Sequence, residues 1–431
     1  ARPASTSIQP QLTQTPVSNP TNIGRRSFLQ GATALGALGL SPALGFTAPT
    51  WNPSAVTRVA VIGCGPWGRN IISELHGLEG AEVVAVADPV ASRRKAGLRK
   101  GPTATGFASL AEIRAAKLDV EAVVIATPSH LHTELVLEAL AAKLPVYCEA
   151  PMATTAEDLK AIQAAAKAAG VPFTCGLLVR SNPLYGHARN FVRSNAIADF
   201  VGFRAQHHEK TSWRSPAVNR ADEEALNWRL DPELSLGLAG EFGVHQFDVI
   251  HWYTGMYPLA VRGDGSIQLH RDGRKVHDTI HLDMEFPGHR VLRYDATIAN
   301  SFQKRFELFH GTAGAVKMAQ NAGWLFKESD APTIGFEVYA GRQYFHDEEG
   351  ITLVADATKL AAQERIKNGV SLQEPPLRFA LRGFLLTVQE GAEPYCSVTE
   401  GARASHVAIA AATAVASGER IEIDQGLFTE D

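Results

Sequence analysis

The chain's clearest chemical signal is Gly63-Cys-Gly-Pro-Trp-Gly68, three glycines spaced G-x-G-x-x-G, with Asp88 twenty residues beyond the last. That spacing suits a dinucleotide. Gly63 would permit a tight turn, Gly65 would let backbone amides approach a pyrophosphate, and Gly68 would let a helix pack closely on a strand. Pro66 and Trp67 complete the turn, and the helix they open would face the phosphates with free N–H groups and its positive dipole end. Asp88 would accept hydrogen bonds from the adenosine ribose hydroxyls, which favours NAD. Arg93 and Arg94 keep NADP as the alternative, because an arginine there can accommodate a 2′-phosphate.

A second stretch, Pro145-Val-Tyr-Cys-Glu-Ala-Pro-Met-Ala-Thr-Thr155, reads as a short buried strand entering a proline turn. Its centre, between Glu149 and Pro151, is Ala150, which can neither donate, accept nor titrate. Downstream, "NWRLDP" offers Trp228 as a stacking platform and Arg229 as a donor to hydroxyls. The "HHE" run at 207–209 invites a metal reading, but adjacent strand residues point to opposite faces and no tight ligand spacing accompanies it. No metal is expected; His207 or His208 would line a substrate pocket.

These residues need elements to position them. "RVAVIG" is a buried strand, "PWGRNIISELHGL" a helix and "AEVVAVAD" the next strand, and the alternation continues to "VPFTCG". Strands joined by helices of this length require crossovers, so the fold class is α/β with a doubly wound parallel sheet over 57–176. From 177 to 425 longer strand-like runs dominate, among them "DFVGFRAQHHE", "TIHLDMEF" and "GFEVYAG". They predict a mainly antiparallel, open sheet faced by helices in a second, substrate-binding and oligomerisation domain. At 431 residues, two domains are the default.

The leader is a separate matter. Residues 1–48 contain Arg2, Arg25 and Arg26 and no acid. Paired arginines before Ser-Phe-Leu and a Gly/Ala-rich apolar run match a twin-arginine export signal, with residues 1–22 disordered and cleavage between Ala43 and Pro53. Export of the folded protein to the periplasm, through the twin-arginine machinery, is therefore expected. The 41 basic and 45 acidic groups leave a net charge of −4, and the remainder without the leader is more acidic still. That balance argues against nucleic acid as a partner. Cys64, Cys148, Cys175 and Cys396 follow no metal spacing and are expected as small buried apolar groups.

With "AVIGCGPWGRN", "VVIATPSHLH", "VYCEAPMATT" and "GEFGVHQFD" in this order, residues 57 to about 425 resemble the glucose–fructose oxidoreductase/inositol dehydrogenase/MocA (Gfo/Idh/MocA) family. The resemblance implies a Rossmann domain, a C-terminal α/β domain, hydride transfer between them, sugar or polyol substrates, and homo-oligomers pairing through the open sheet. Thr127 and Pro128 would lie at the nicotinamide end, followed by Ser129 where the family often has Asn. His132, Glu149 and Pro151 match cofactor positions, whereas the family's Lys is Ala150. Arg180 matches a substrate-domain position, and the family's Asp-x-Gly-x-His-x-x-Asp becomes Glu241, Gly243, His245 and Asp248.

Under that resemblance His245 is the candidate base, because an ordinary imidazole pKa near ~6.5 suits proton transfer at neutral pH. Glu241, four residues earlier, would share its helical face and bind a sugar hydroxyl or orient the ring. Asp248 would fix the ring tautomer. Because no soluble NAD pool recharges a cofactor outside the cytoplasm, the nucleotide is expected to stay tightly bound. Three functions follow: a sugar oxidoreductase, an NAD-dependent glycosidase or lyase working by oxidation, elimination and re-reduction, or a catalytically silent sugar-binding protein.

Overall fold

Six parallel strands form the first sheet: β1 Thr57–Ile62, β2 Ala81–Ala87, β3 Thr105–Phe107, β4 Ala122–Ile125, β5 Val146–Cys148 and β6 Phe173–Cys175. Their order is β3-β2-β1-β4-β5-β6, the reversal falling between β1 and β4. β4, β5 and β6 are buried along their whole length, as expected of strands covered by helices on both faces. The computed structural model describes residues 55–217, 219–319, 322–333, 337, 340–345, 348–353, 372 and 374–428. The expected twin-arginine leader and most of the expected strand "GFEVYAG" lie outside the described residues.

Among the described residues the second sheet has ten strands. Its members include β7 Phe200–His208, β8 Ala260–Ser266, β9 Thr279–Phe286, β10 Arg290–Thr297, β11 Arg305–Gly311 and β12 Gly314–Ala319. All described pairings are antiparallel except β7 with β10. β9 shows why one face is covered: Ile280, Leu282, Met284 and Phe286 are buried, while the alternating Thr279, His281, Asp283 and Glu285 are not. Helices Pro183–Arg193 and Val244–Thr254 pack on the apolar face. The first of these has a clear apolar stripe and an Asn182 side-chain cap.

Two C-terminal helices join the sheets. Pro376–Glu390, although within 177–425, turns Leu381, Phe384 and Leu385 into the first sheet's core beside Ile71, Leu75 and Tyr147. Val398–Ser417 buries Ala402, Ala404, Ala408, Ala411 and Ala414, and these small side chains allow close approach to its neighbours. Its Ser405 hydroxyl accepts a hydrogen bond from the Met152 amide at 2.9 Å, so the helix buttresses the turn after β5. The four cysteines are buried and unpaired by disulfides. No described helix is long and apolar enough to cross a membrane.

Candidate active site

The glycine turn leaves β1 with Gly63 at φ +98°, where a Cβ would lie 2.4 Å from the Ala126 carbonyl oxygen. A Cβ on Gly68 would lie 2.0 Å from the Gly63 oxygen. Both positions are therefore closed by the protein itself. Gly65, the N-cap of helix Pro66–His76, differs: a Cβ there would meet nothing within 4 Å. Open space beside a helix N-terminus is what the approach of a pyrophosphate requires. Asp88 is buried at the end of β2, its Oδ2 accepting from the Cys64 amide at 2.9 Å and its Oδ1 from the Val90 amide at 2.9 Å. The carboxylate thus ties the glycine turn to β2, and each oxygen keeps a further lone pair for a ribose hydroxyl.

Arg94 donates to the Asp88 carbonyl and is spent locally. Arg93 is half-buried. Burial lowers its pKa, Asp88 opposes that, and the Arg229 and Arg69 guanidinium groups add to it.

Two loops frame the other end of the cleft. After β4, Thr127 Oγ1 is buried without a hydrogen-bond partner. After β5, the Ala150–Pro151 peptide is cis, and Glu149 Oε1 is likewise buried and unpartnered. A Cβ on Gly176 would lie 2.5 Å from Glu149 Oε2, so the carboxyl is packed against bare backbone. Burial pushes the Glu149 pKa up to about 7, with the Trp67 indole, the Tyr147 hydroxyl and the Ala150 amide pulling it back. Trp67 itself is partly exposed.

His132, expected at the cofactor, has no ring nitrogen left for it. Nδ1 lies 2.9 Å from the Pro151 oxygen and Nε2 3.0 Å from the Thr127 oxygen, and the side chain is buried. It ties the two loops together.

The opposite wall comes from the second sheet and the wide, π-helical turn Ala239–Gly243 that precedes helix Val244–Thr254. The three residues expected to cooperate there go to three different places. His245 Nδ1 is buried without a partner. Burial and the nearby Arg305 guanidinium push its pKa down to about 3, well below the ordinary value expected for it. Asp248 does not orient it. Both Asp248 oxygens accept from Arg180, through Nε at 3.1 and 2.9 Å and Nη2 at 2.7 Å, in a buried pair that Glu400 extends. Arg180, expected at the substrate, is engaged by that pair. Burial works against its charge, but Asp248 and Glu400 outweigh it and its pKa is raised.

Glu241 also leaves His245 alone. Its Oε1 accepts from Ser129 Oγ at 2.9 Å and its Oε2 from Arg229 Nε at 2.8 Å.

Of the two strand histidines, His207 is on the His245 side. It stacks on Phe242 with centroids 3.7 Å apart, and burial, Arg305 and His245 push its pKa down to about 2. His208 is turned towards Asp295 and His281 on the other face, as strand alternation demands, and does not join the site. Trp228 is not a free platform: it is 4% exposed, with the Arg229 guanidinium 4.5 Å from its ring centroid and His130 at 5.8 Å. Among the described residues no cluster of histidine, cysteine or carboxylate side chains could hold a metal.

Residues 57–177 match the model of an oxidoreductase family with an NAD-binding Rossmann fold, and residues 208–423 match its C-terminal alpha/beta domain. The chain belongs to this Gfo/Idh/MocA family. The inositol 2-dehydrogenase of Pseudarthrobacter chlorophenolicus is 32% identical over 200 residues, 46% of this chain and 54% of that protein. The 2,7-anhydro-N-acetylneuraminate hydratase of Escherichia coli is 26% identical over 270 residues, 62% of this chain and 68% of that protein. The match thus spans about half the length of that inositol dehydrogenase. A solved levoglucosan dehydrogenase, in complex with NADH and levoglucosan, has a TM-score of 0.68 at 19% identity. It covers 86% of this chain and 100% of that one, a likeness of fold.

Within this Gfo/Idh/MocA fold, three site residues escaped the sequence reading. Arg305 faces His207 and His245, Phe242 stacks on His207, and Trp213 meets Phe242 edge-on at 5.4 Å. Arg305 had a signal. It stands two residues before Glu307 in a strand, so both share a face, and Arg305 Nε donates to Glu307 Oε1 at 3.1 Å.

Proposed function

We propose that this protein is an oxidoreductase that moves hydride to and from a hydroxyl-bearing carbon of a sugar, glycoside or polyol. The observation that carries the reading is the open space at Gly65, the N-cap of the helix after the glycine turn, beside the buried Asp88 carboxylate. Thr127 Oγ1, Glu149 Oε1, His207 Nδ1 and His245 Nδ1 are among the buried side-chain atoms left without a partner, and buried polar atoms ordinarily have partners. Gly63, Gly65, Gly68 and Asp88 would hold the dinucleotide's phosphates and adenosine ribose, with Thr127, Pro128 and Glu149 at its nicotinamide end. A nicotinamide dinucleotide bound there supplies a two-electron hydride acceptor and donor.

The chain's own residues handle the proton. Ala150 contributes none. His245, neutral across the working pH range, accepts the hydrogen bond of the reacting hydroxyl. Glu149, which titrates near neutrality, is the carboxyl that holds or releases the proton as the pH changes. Burial and the Arg305 guanidinium keep His245 from retaining it.

The reading includes tight retention of NAD, with NADP as the alternative, export of the folded protein behind the twin-arginine leader, and homo-oligomers formed through the second sheet. Its test is to purify the exported protein, denature it and identify the released nucleotide. Recovery of neither NAD nor NADP would remove tight retention. Incubation with a sugar and a second carbonyl compound should then give oxidised and reduced products in pairs.

Ala150 favours a second reading, in which oxidation, elimination and re-reduction occur with no net redox change. The hydratase relative points the same way. Release of an aglycone or of water, without any reduced acceptor, would select it. Neither outcome, with nucleotide bound, would leave the silent sugar-binding protein.

A further inference from the structure

Ser129 and Glu241 meet across the cleft. Ser129 ends the Thr127-Pro128 loop of the first sheet, and Glu241 lies in the turn that leads to His245. Ser129 is 3% exposed and the Glu241 side chain 8% exposed. With Ser129 Oγ on one oxygen and Arg229 Nε on the other, the carboxylate has both ends engaged inside the protein. Arg229 is itself held over the Trp228 ring, and Trp228 packs against His130, the neighbour of Ser129. The first domain's loop at 129–130 is therefore gripped twice by the second domain, through a hydrogen bond and through an aromatic contact.

A carboxylate tied in this way is poorly placed to carry a proton, because taking one would cost it a charge-assisted bond to Arg229. It is well placed to fix a distance. We propose that Ser129, Glu241 and Arg229 form an interdomain clasp that sets how far the wall bearing His245 stands from the nicotinamide end of the cleft. Glu241 is then a positioning residue, not the proton carrier. The clasp rests on the dinucleotide reading only for its effect on turnover; the clasp itself is a property of the two domains.

Length is what such a clasp must conserve. Glu241→Asp withdraws the carboxylate by one methylene, and Ser129→Asn extends the opposite partner by about the same reach. Each single variant should raise the dinucleotide Kd and the substrate KM and lower kcat by about tenfold or more, since a displacement of ~1 Å can cost ~100-fold. The double variant S129N/E241D should recover most of that loss. Glu241→Gln, which keeps the length, should lose less than about tenfold and keep the shape of the pH–rate profile. Additive single effects without rescue, or a limb of the profile deleted in Glu241→Gln, would overturn the proposal.

Ser129→Ala removes only a hydroxyl and keeps the test available should the Glu241 variants not fold. It should speed amide hydrogen exchange across 127–132 at least several-fold in the full chain with no dinucleotide added, and unchanged exchange there would also overturn the clasp. That measurement separates the two ideas: faster exchange in a protein that binds no dinucleotide keeps the clasp and removes the cofactor reading.

Discussion

His207 on β7 and Arg305 on β11 are cross-strand partners, and burial together with this guanidinium lowers the basicity of the His207 and His245 rings. Buried beside a guanidinium, an imidazolium is opposed twice, by lost hydration and by like charge. His245 faces the same Arg305, and the two rings are held down to about 2 and about 3. Arg305 keeps its own charge because Glu307 supports it, and Glu307 is in turn held by Tyr185 and Gln246.

The unfolded chain therefore binds protons at both histidines as the pH falls through ~6.5, whereas the folded chain resists until about 3. Stability contributed by these rings is present above ~6.5 and is lost as the pH falls below it, with a slope of at most about 1.4 kcal/mol per pH unit for each ring. Replacing both His207 and His245 by Gln should flatten urea-derived stability between pH 4 and 6. In the native protein, NMR should find both rings neutral at pH 5. An imidazolium at either position would contradict the burial argument.

Gly65 and Gly68 should separate binding from folding. A methyl group at Gly65 meets no protein atom, so Gly65→Ala should cost no more than about 1 kcal/mol, the usual loss for alanine at an N-cap. It should nevertheless weaken dinucleotide binding at least about tenfold, by filling space the pyrophosphate needs. Gly68→Ala, driven against the Gly63 carbonyl, should lower the Tm before any question of binding arises. Calorimetric melting and equilibrium dinucleotide titration would check the two together.

The Rossmann half was legible because its signals are local. A buried strand, a glycine turn and an acid at the next strand's end lie within about thirty residues, and each constrains the next. The separation of His207 from His208 was legible too, since strand alternation alone decides it. The arrangement of the expected catalytic trio was not. Glu241, His245 and Asp248 are close in sequence, and helical spacing says only that they can share a face. Their partners Ser129, Arg305 and Arg180 come from segments about 60 or more residues away, and no local pattern records which partner each will meet. The same holds for Trp228, whose face is covered by its own neighbour Arg229 and by His130.

Asp248 should prove structural. Asp248→Asn leaves the Arg180 charge buried with only Glu400 to meet it, a kind of loss that costs about 3–5 kcal/mol. Thermal melting should show a fall of that size. Replacing the pair, as Arg180→Met with Asp248→Leu, should recover part of it. Where folded Asp248→Asn can be isolated, its pH–rate profile should keep the wild-type shape, because the Asp248 carboxylate is bonded to Arg180 and not to His245. A shifted profile would restore Asp248 to the tautomer-fixing role.

Glu149 brings the chemistry back to the turn whose centre is Ala150. Burial holds its carboxyl at about 7, against an ordinary value of 4.5, so the folded state retains a proton that the unfolded chain gives up. Its contribution to stability runs opposite to that of the histidines. It is most favourable below ~4.5, declines as the pH rises towards 7 and stays flat beyond, the total being on the order of 3 kcal/mol. Glu149→Gln cannot ionise, so it should match the parent's stability at pH 4 and exceed it at pH 8 by about that amount. In turnover the same substitution should delete the limb of the pH–rate profile near 7, while His245→Ala should lower kcat by about 100-fold or more and leave that limb in place. Should the limb vanish in His245→Ala and survive in Glu149→Gln, the titrating group near neutrality is the imidazole, and the proton does not pass through the carboxyl beside Ala150.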